Sequence, residues 1–346
     1  MNATLRAYLE LARLSNAPTV VSNTLAGAGC AAFALPGAIP TNRIAIAALA
    51  SVALYVAGMA LNDLFDRAID ATERPHRPIP SGRVTSRGAA TFVTLLLLGG
   101  LGLLALLGLP SLVAGLALVA CIVAYDLIHA ATTWSVLIMG VCRGLVYVVG
   151  ALAIGIPAQP WFVFIPALIL TLYVAAFSVV ARREAFAHAP SSSSACGVCG
   201  YPRMTDRDRC SECGHKFGPV HVLAVKVESG ESPPPGATNF FAVLLLSPIV
   251  IFGLKGLGDR GGNPHAIALA VGFFCTAALI SACTMASSRL VERRPPKIGP
   301  AVGLWIATIS LYDAYVLFLA HSLAYGCAAV ICFGLTRWAQ RRIAGT

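Results

Sequence analysis

Long apolar stretches, broken by short charged segments, dominate the chain. No Asp, Glu, Lys or Arg occurs from Leu14 to Asn42, from Gly88 to Tyr125, or from Gly144 to Ala181. A bilayer core of roughly 30 Å is crossed by about 20 apolar residues in helical form. The two longest runs therefore each predict a helical hairpin, turning at Gly108-Leu109-Pro110 and at Pro157-Ala158-Gln159-Pro160. Continuous rather than alternating hydrophobicity excludes barrel strands. The pattern predicts an all-α, polytopic membrane bundle of about nine spans, roughly 16–35, 43–65, 88–108, 110–128, 133–155, 160–181, 239–257, 264–286 and 301–335. The last is too long for one straight helix and short for two. The opening MNATLRAYLELARL reads as a short interfacial helix, with no cleavable signal peptide.

Composition agrees. Of 346 residues, 57% are hydrophobic and 12% charged, with mean hydropathy +0.77; soluble domains carry about twice that charged fraction. A net charge of +10 would suit nucleic acid, but its distribution points to the lipid bilayer and to no nucleic-acid partner. Arg6 and Arg13, five Arg in 67–87, seven Lys/Arg in 182–238 and four in 289–297 fall on one side, against Arg43, Lys255 and Arg260 on the other. By the positive-inside rule, the N-terminus is cytoplasmic, in a multi-pass protein of the cell inner membrane. Arg337, Arg341 and Arg342 disagree, because nine spans put them outside; either the last run re-enters or it crosses twice.

Eleven cysteines are present, and Cys30, Cys121, Cys142, Cys275, Cys283, Cys327 and Cys332 lie in apolar runs as small packing residues. The others form Cys196-x2-Cys199 and Cys210-x2-Cys213, pairs separated by ten residues in a polar loop. Two such pairs suit a structural, tetrahedral Zn²⁺ with no open position, as in zinc ribbons. Disulfides are the alternative, disfavoured in a cytoplasmic loop. Ser191–Ser194 and Ser232-Pro233-Pro234-Pro235 read as linkers. The chain thus divides into membrane helices (1–190), a cytoplasmic insert able to dock a protein partner (191–238), and further membrane helices (239–346).

Span two ends in Asn62-Asp63-Leu64-Phe65-Asp66-Arg67-Ala68-Ile69-Asp70. Helical spacing puts Asp63, Asp66 and Asp70 on one face, with Asn62 beside Asp66. An unpaired Asp at mid-membrane costs roughly 2.5–3.5 kcal/mol, less near the interface, so a neutralising cation is expected. Mg²⁺ suits hard oxygen ligands and a bound phosphate. Arg74, His76, Arg77 and Arg83 follow in a proline-stiffened loop, and guanidinium forks fit diphosphate oxygens. The bland reading is a solvated helix end.

NDLFDRAID resembles the first aspartate-rich motif, N-D-x2-D-x3-D, of the UbiA superfamily of membrane prenyltransferases. RPHRPIPSGR, MGVCRG (139–144) and VVARREA (179–185) look like its EboC-like branch. The resemblance covers most of the membrane body, but not the insert. It implies Mg²⁺-dependent transfer of a prenyl group from a prenyl diphosphate to an acceptor. Asp63, Asp66 and Asp70 would be catalytic and metal-binding; Asn62, Arg74, Arg77, Arg83 and Arg143 would serve the diphosphate. Arg143 alternatively partners an acid. Tyr125 and His129 occupy a Y-x3-K-like pattern with His for Lys.

The family's second motif, D-x3-D, is absent: Ser178 and Arg182 stand at its spacing, and Glu184 is the nearby carboxylate. Arg182 or Arg183 in place of a second cation is one reading. Asp126 either caps its helix or assists the site, and Asp313 either pairs with an arginine such as Arg143 or lines a pocket. Tyr147, Tyr173, Phe177 and Trp134 either line a prenyl tunnel or pack ordinarily. Two functions remain: an intramembrane prenyltransferase, or a non-catalytic isoprenoid-binding or transport descendant.

Overall fold

In the computed structural model, described residues are 3–33, 40–129, 132, 134–157, 159–187, 244–245, 247, 265–293 and 297–342, with backbone alone at 3, 72–73 and 182–187. The cysteine pairs of the insert, nearly all of the expected span 239–257, and the side chains of Arg182, Arg183 and Glu184 lie outside them.

The described residues form a helical bundle. A short α1 (Ala3–Leu11) and a 3-10 turn (Leu14–Asn16) lead into α2 (Ala17–Ala32) and α3 (Thr41–Phe65). Then come α4 (Arg67–Glu73), α5 (Ser86–Leu107), α6 (Leu109–Ile128), α7 (Ser135–Ile154) and α8 (Trp161–Ala187). Last are α9 (Ala266–Glu292), α10 (Ile298–Leu319) and α11 (Leu323–Arg342). Seven of them (α3, α5, α6, α7, α8, α9 and α10) are long and apolar enough to cross a membrane. The protein is an integral, multi-pass membrane protein. Both hairpin breaks fall as the sequence predicts; α5 and α6 are joined by Gly108 alone, at φ +115°.

The expected single run 301–335 is two helices. α10 stops at Ala320, His321 adopts φ +57°, and the Ser322 amide donates to the Leu317 carbonyl at 2.9 Å. This closes the helix by a left-handed cap that usually takes Gly. With His in that place and no Pro nearby, the pattern carries no visible stop. The amide of Gln340, near the end of α11, donates to Asn16 Oδ1 at 3.1 Å and to the Gly303 carbonyl at 2.9 Å. Arg337, Arg341 and Arg342 thus return to the end of the bundle that holds Arg13 and the aspartate motif. The last apolar run is thus a helical hairpin whose two ends lie at the same end of the bundle.

α10 is the most enclosed of the seven long apolar helices; it packs on α2, α8, α9 and α11, and contributes Trp305, Tyr312 and Tyr315 to the main core. Asp313 on α10 is fully buried. Its Oδ2 accepts from Ser22 Oγ at 2.5 Å and Asn23 Nδ2 at 2.8 Å, and its Oδ1 accepts from the Tyr147 hydroxyl. Three donors offset the cost of a carboxylate at this depth. Asp313 therefore ties α2, α7 and α10 together, and its only link with Arg143 in the described hydrogen bonds runs through the Asn23 amide.

At the far end, Arg43 Nε donates to the Ala153 carbonyl and Nη2 to the Leu107 carbonyl, both at 2.6 Å. A cation meets the carbonyl ends of α5 and α7 at once. Between α2 and α7 the backbones nearly touch. A Cβ on Gly27 would stand 2.0 Å from the Tyr147 carbonyl oxygen, and one on Gly150 would stand 2.2 Å from that of Thr24. Small residues permit such approach where helix packing in lipid rests on van der Waals contact. Gly27→Ala is expected to force the pair apart and cost about 1–3 kcal/mol of stability. Chemical unfolding in micelles measures this; a variant as stable as wild type would contradict the packing.

Candidate active site

The end of α3 is enclosed by α1, the loop 74–85 and the start of α5. Ala7, Leu11, Ala60, Ile79, Val84, Ala89 and Val93 form a small apolar core there. Buried against it are Asp63, 5% exposed, and Asp70, 1% exposed. Backbone hydrogen bonding runs on through the α3–α4 junction, with Asp66 N on Asn62 O and Asp70 N on Asp66 O. The carboxylates keep helical spacing, but they do not share one partner.

Asp63 and Asp70 come together on Arg77. Its Nη1 lies 3.2 Å from Asp63 Oδ1 and 2.5 Å from Asp70 Oδ2. Arg13 Nη2 reaches Asp63 at 2.8 Å, and Arg74 stands 3.8 Å from Asp70. Arg13 does so from a left-handed backbone, φ 44° and ψ 45°, which costs a non-glycine residue energy. Asp66 turns instead to α6, where His129 Nε2 lies 2.9 Å from its Oδ1. Each aspartate of the motif is thus neutralised by a side-chain cation.

Charges respond accordingly. Burial pushes the Asp70 carboxyl above the usual carboxylate range, Arg77 draws it back, and Asp63 and Asp66 push upward as well. His129 is lifted above its ordinary value, chiefly by its hydrogen bond with Asp66, against the opposing effect of burial. Its Nδ1 faces the Asp126 carbonyl at 3.0 Å, so both ring nitrogens meet acceptors. Only the imidazolium donates from both. The protonated ring, which this setting favours, can donate to both, and Tyr125 stacks on it with ring centroids 5.3 Å apart.

The remaining expected residues are distributed more widely. Asn62 Nδ2 donates to Asp126 Oδ1 at 3.2 Å, which brings Asp126 to the site from the last turn of α6. Arg83 is engaged elsewhere: it donates to Glu10 Oε2 at 2.6 Å and to the His76 carbonyl at 2.7 Å, fastening the loop to α1. Arg143 lies deeper, with Nη1 on Thr19 Oγ1 at 3.0 Å and Asn23 Oδ1 at 3.2 Å, and its guanidinium 5.3 Å above the Tyr55 ring. Ser178 donates to the Val174 carbonyl at 2.7 Å and to Met139 Sδ at 3.3 Å. Tyr147, Tyr173 and Phe177 sit in the main core, and Trp134 is exposed. Arg13 is the partner that sequence spacing does not reveal, since it lies 50 positions from Asp63.

Among the described residues, no three His, Cys, Asp or Glu side chains converge to hold a metal unaided. The donor chemistry is nevertheless that of a hard cation, since Mg²⁺ is commonly held by one or two carboxylates with waters and substrate phosphate.

Residues 20–196, just over half of the chain, match the UbiA prenyltransferase family. The chain belongs to that family. A digeranylgeranylglyceryl phosphate synthase of Haloquadratum walsbyi is 34% identical over 157 residues, covering 45% of this chain and 54% of the relative. The chain spans about half the length of that curated relative, and about a third of a Korarchaeum cryptofilum synthase that is 36% identical over 104 residues. In fold, a UbiA homologue from Archaeoglobus fulgidus bound to DMAPP and Mg²⁺ superposes with TM-score 0.56 at 16% identity, covering 94% of this chain and 99% of that one. An apo UbiA homologue from Aeropyrum pernix gives 0.56 at 17% identity, covering 86% and 96%.

The His129–Asp66 pair carries a pH signature. A histidine raised on folding adds stability in full below its unfolded value of about 6.5, and that contribution is lost as pH rises through the raised folded value. His129→Gln is expected to unfold at lower temperature than wild type in mildly acidic, metal-free buffer. The gap should close toward alkaline pH. A gap that stays constant with pH would remove the charged pair from this account.

Proposed function

We propose that this chain is an intramembrane prenyltransferase that moves a prenyl group from a prenyl diphosphate to an acceptor, with Mg²⁺ as cofactor. The observation that supports it is the meeting of Asp63 and Asp70 on one guanidinium nitrogen, with Arg13, Arg74 and His129 around them. Such a cluster interleaves three carboxylates with four basic side chains, and each carboxylate–arginine contact can be exchanged for carboxylate–metal and arginine–phosphate contacts. Names of the relatives, and the DMAPP and Mg²⁺ of the Archaeoglobus homologue, favour the same assignment.

Asp63, Asp66 and Asp70 would hold the metal, with Asn62 beside them. When bound, Mg²⁺ neutralises the diphosphate oxygens and makes them a better leaving group. Arg77 and Arg74, released from the carboxylates, would grip the diphosphate by two-pronged contacts. Arg143 uses only Nη1 in its described hydrogen bonds, which leaves Nε and Nη2 for an oxygen of the same group. As the allylic C–O bond breaks, its electron pair leaves with diphosphate; the acceptor's electron pair forms the new bond and the acceptor gives up a proton. Fixed cations aimed at the growing charge would supply most of the acceleration. The positive-inside pattern, completed by the return of α11, favours a cytoplasmic site.

A second reading, an isoprenoid-binding protein without catalysis, is favoured by Ser178, whose hydroxyl is spent on its own helix where an acid would be needed. Release of pyrophosphate from radiolabelled geranylgeranyl diphosphate separates the two. Wild type should show Mg²⁺-dependent release, and Asp66→Ala should lower it about 10²-fold or more. Donor binding with no Mg²⁺-dependent release would support the binding protein instead.

A further inference from the structure

Asp63, Asp66 and Asp70 each have a cationic side chain within 4 Å, and a fourth carboxylate in the same site has none among the described residues. Asp126 is 4% exposed and faces α3 from the last turn of α6. Its Oδ1 accepts from Asn62. Its Oδ2 is buried without a hydrogen-bond partner among the described residues. A bare, buried acceptor costs about 1–3 kcal/mol, more when charged, so such an atom in a functional site calls for a ligand.

Position narrows the ligand. Asn62 precedes Asp66 by four residues on the same helical face, and His129 links the Asp66 carboxylate with the Asp126 backbone. Asp126 and Asp66 both sit beside His129, with Arg13 also within electrostatic reach of Asp126, so the Asp126 carboxylate offers a hard oxygen donor next to a second carboxylate and two basic groups. That environment favours a small divalent cation over an anion or an apolar group. Two carboxylates suffice for Mg²⁺ when phosphate oxygens and water complete the shell. The place also answers a deficit, because Ser178 stands where the second aspartate motif would begin and its hydroxyl is engaged by the Val174 carbonyl and by Met139 Sδ on α7.

We propose that Asp126 and Asp66 form a second divalent-cation place on the α6 side of the site, occupied together with a diphosphate group and replacing the acids that positions 178 and 182 lack. The proposal rests on the diphosphate reading above and adds to it a ligand outside both aspartate motifs. Asn62, whose amide fixes the Asp126 carboxyl, acts as its positioning residue.

The test is a Mn²⁺ titration of the full chain in detergent micelles, with inorganic pyrophosphate present and free Mn²⁺ followed by electron paramagnetic resonance. Wild type should bind two ions per chain. Asp126→Asn should keep one and bind the other at least tenfold more weakly, while Asp126→Glu restores part of the second. Without metal, Asp126→Asn should unfold at or above the wild-type temperature, since a bare buried carboxylate has been removed. Unchanged stoichiometry and affinity in Asp126→Asn would overturn the assignment, as would a single ion bound alike by wild type and variant. Wild type that binds no Mn²⁺ even with pyrophosphate would instead bring down the diphosphate reading itself, and this proposal with it.

Discussion

Everything at the working end of this protein follows from the difficulty of keeping carboxylates ionised where lipid meets protein. Asp63 and Asp70 are almost wholly enclosed. The fold answers by bringing cations from distant parts of the chain: Arg13 from before α2, Arg77 from the loop after α4, and His129 from the end of α6. Each is in place only if its own segment is in place, so the charge balance is also a constraint on topology. The small apolar core under α1 and the loop is the scaffold that lets Arg13 and Arg77 arrive together.

The same economy recurs deeper in the bundle on a different principle. Asp313 faces no cation directly in the described contacts; neutral donors from α2 and α7 surround it. Those donors reach it because Gly27 and Gly150 let the two backbones close to contact distance. The Asn23 amide gives its nitrogen to Asp313 and turns its oxygen to Arg143, so the orientation of one side chain is transmitted to the next.

Much of this was legible in residue order, because charge-free runs and helix-breaking pairs are local signals. The hairpin turn at Gly108 and the acidic motif ending α3 are of that kind. The stop at His321 was not, since a left-handed cap made without Gly or Pro leaves no mark on an apolar run. The clustering of the motif acids was readable, but their partners were not: helical spacing shows which residues share a face, and says nothing of an arginine 50 positions away or of a histidine on another helix. Asp126 illustrates the limit well. Its sequence context leaves capping and participation equally open, and nothing in residue order shows that Oδ1 meets Asn62 while Oδ2 is left bare among the described residues.

Arg43 gives the bundle a fixed end. By binding the last carbonyls of α5 and α7 at once, it locks three helices together opposite the acidic site. At the other end the helices are joined by ion pairs, which trade partners readily. The two ends of the bundle are thus held by different means, charge-to-carbonyl contacts at one and carboxylate pairing at the other.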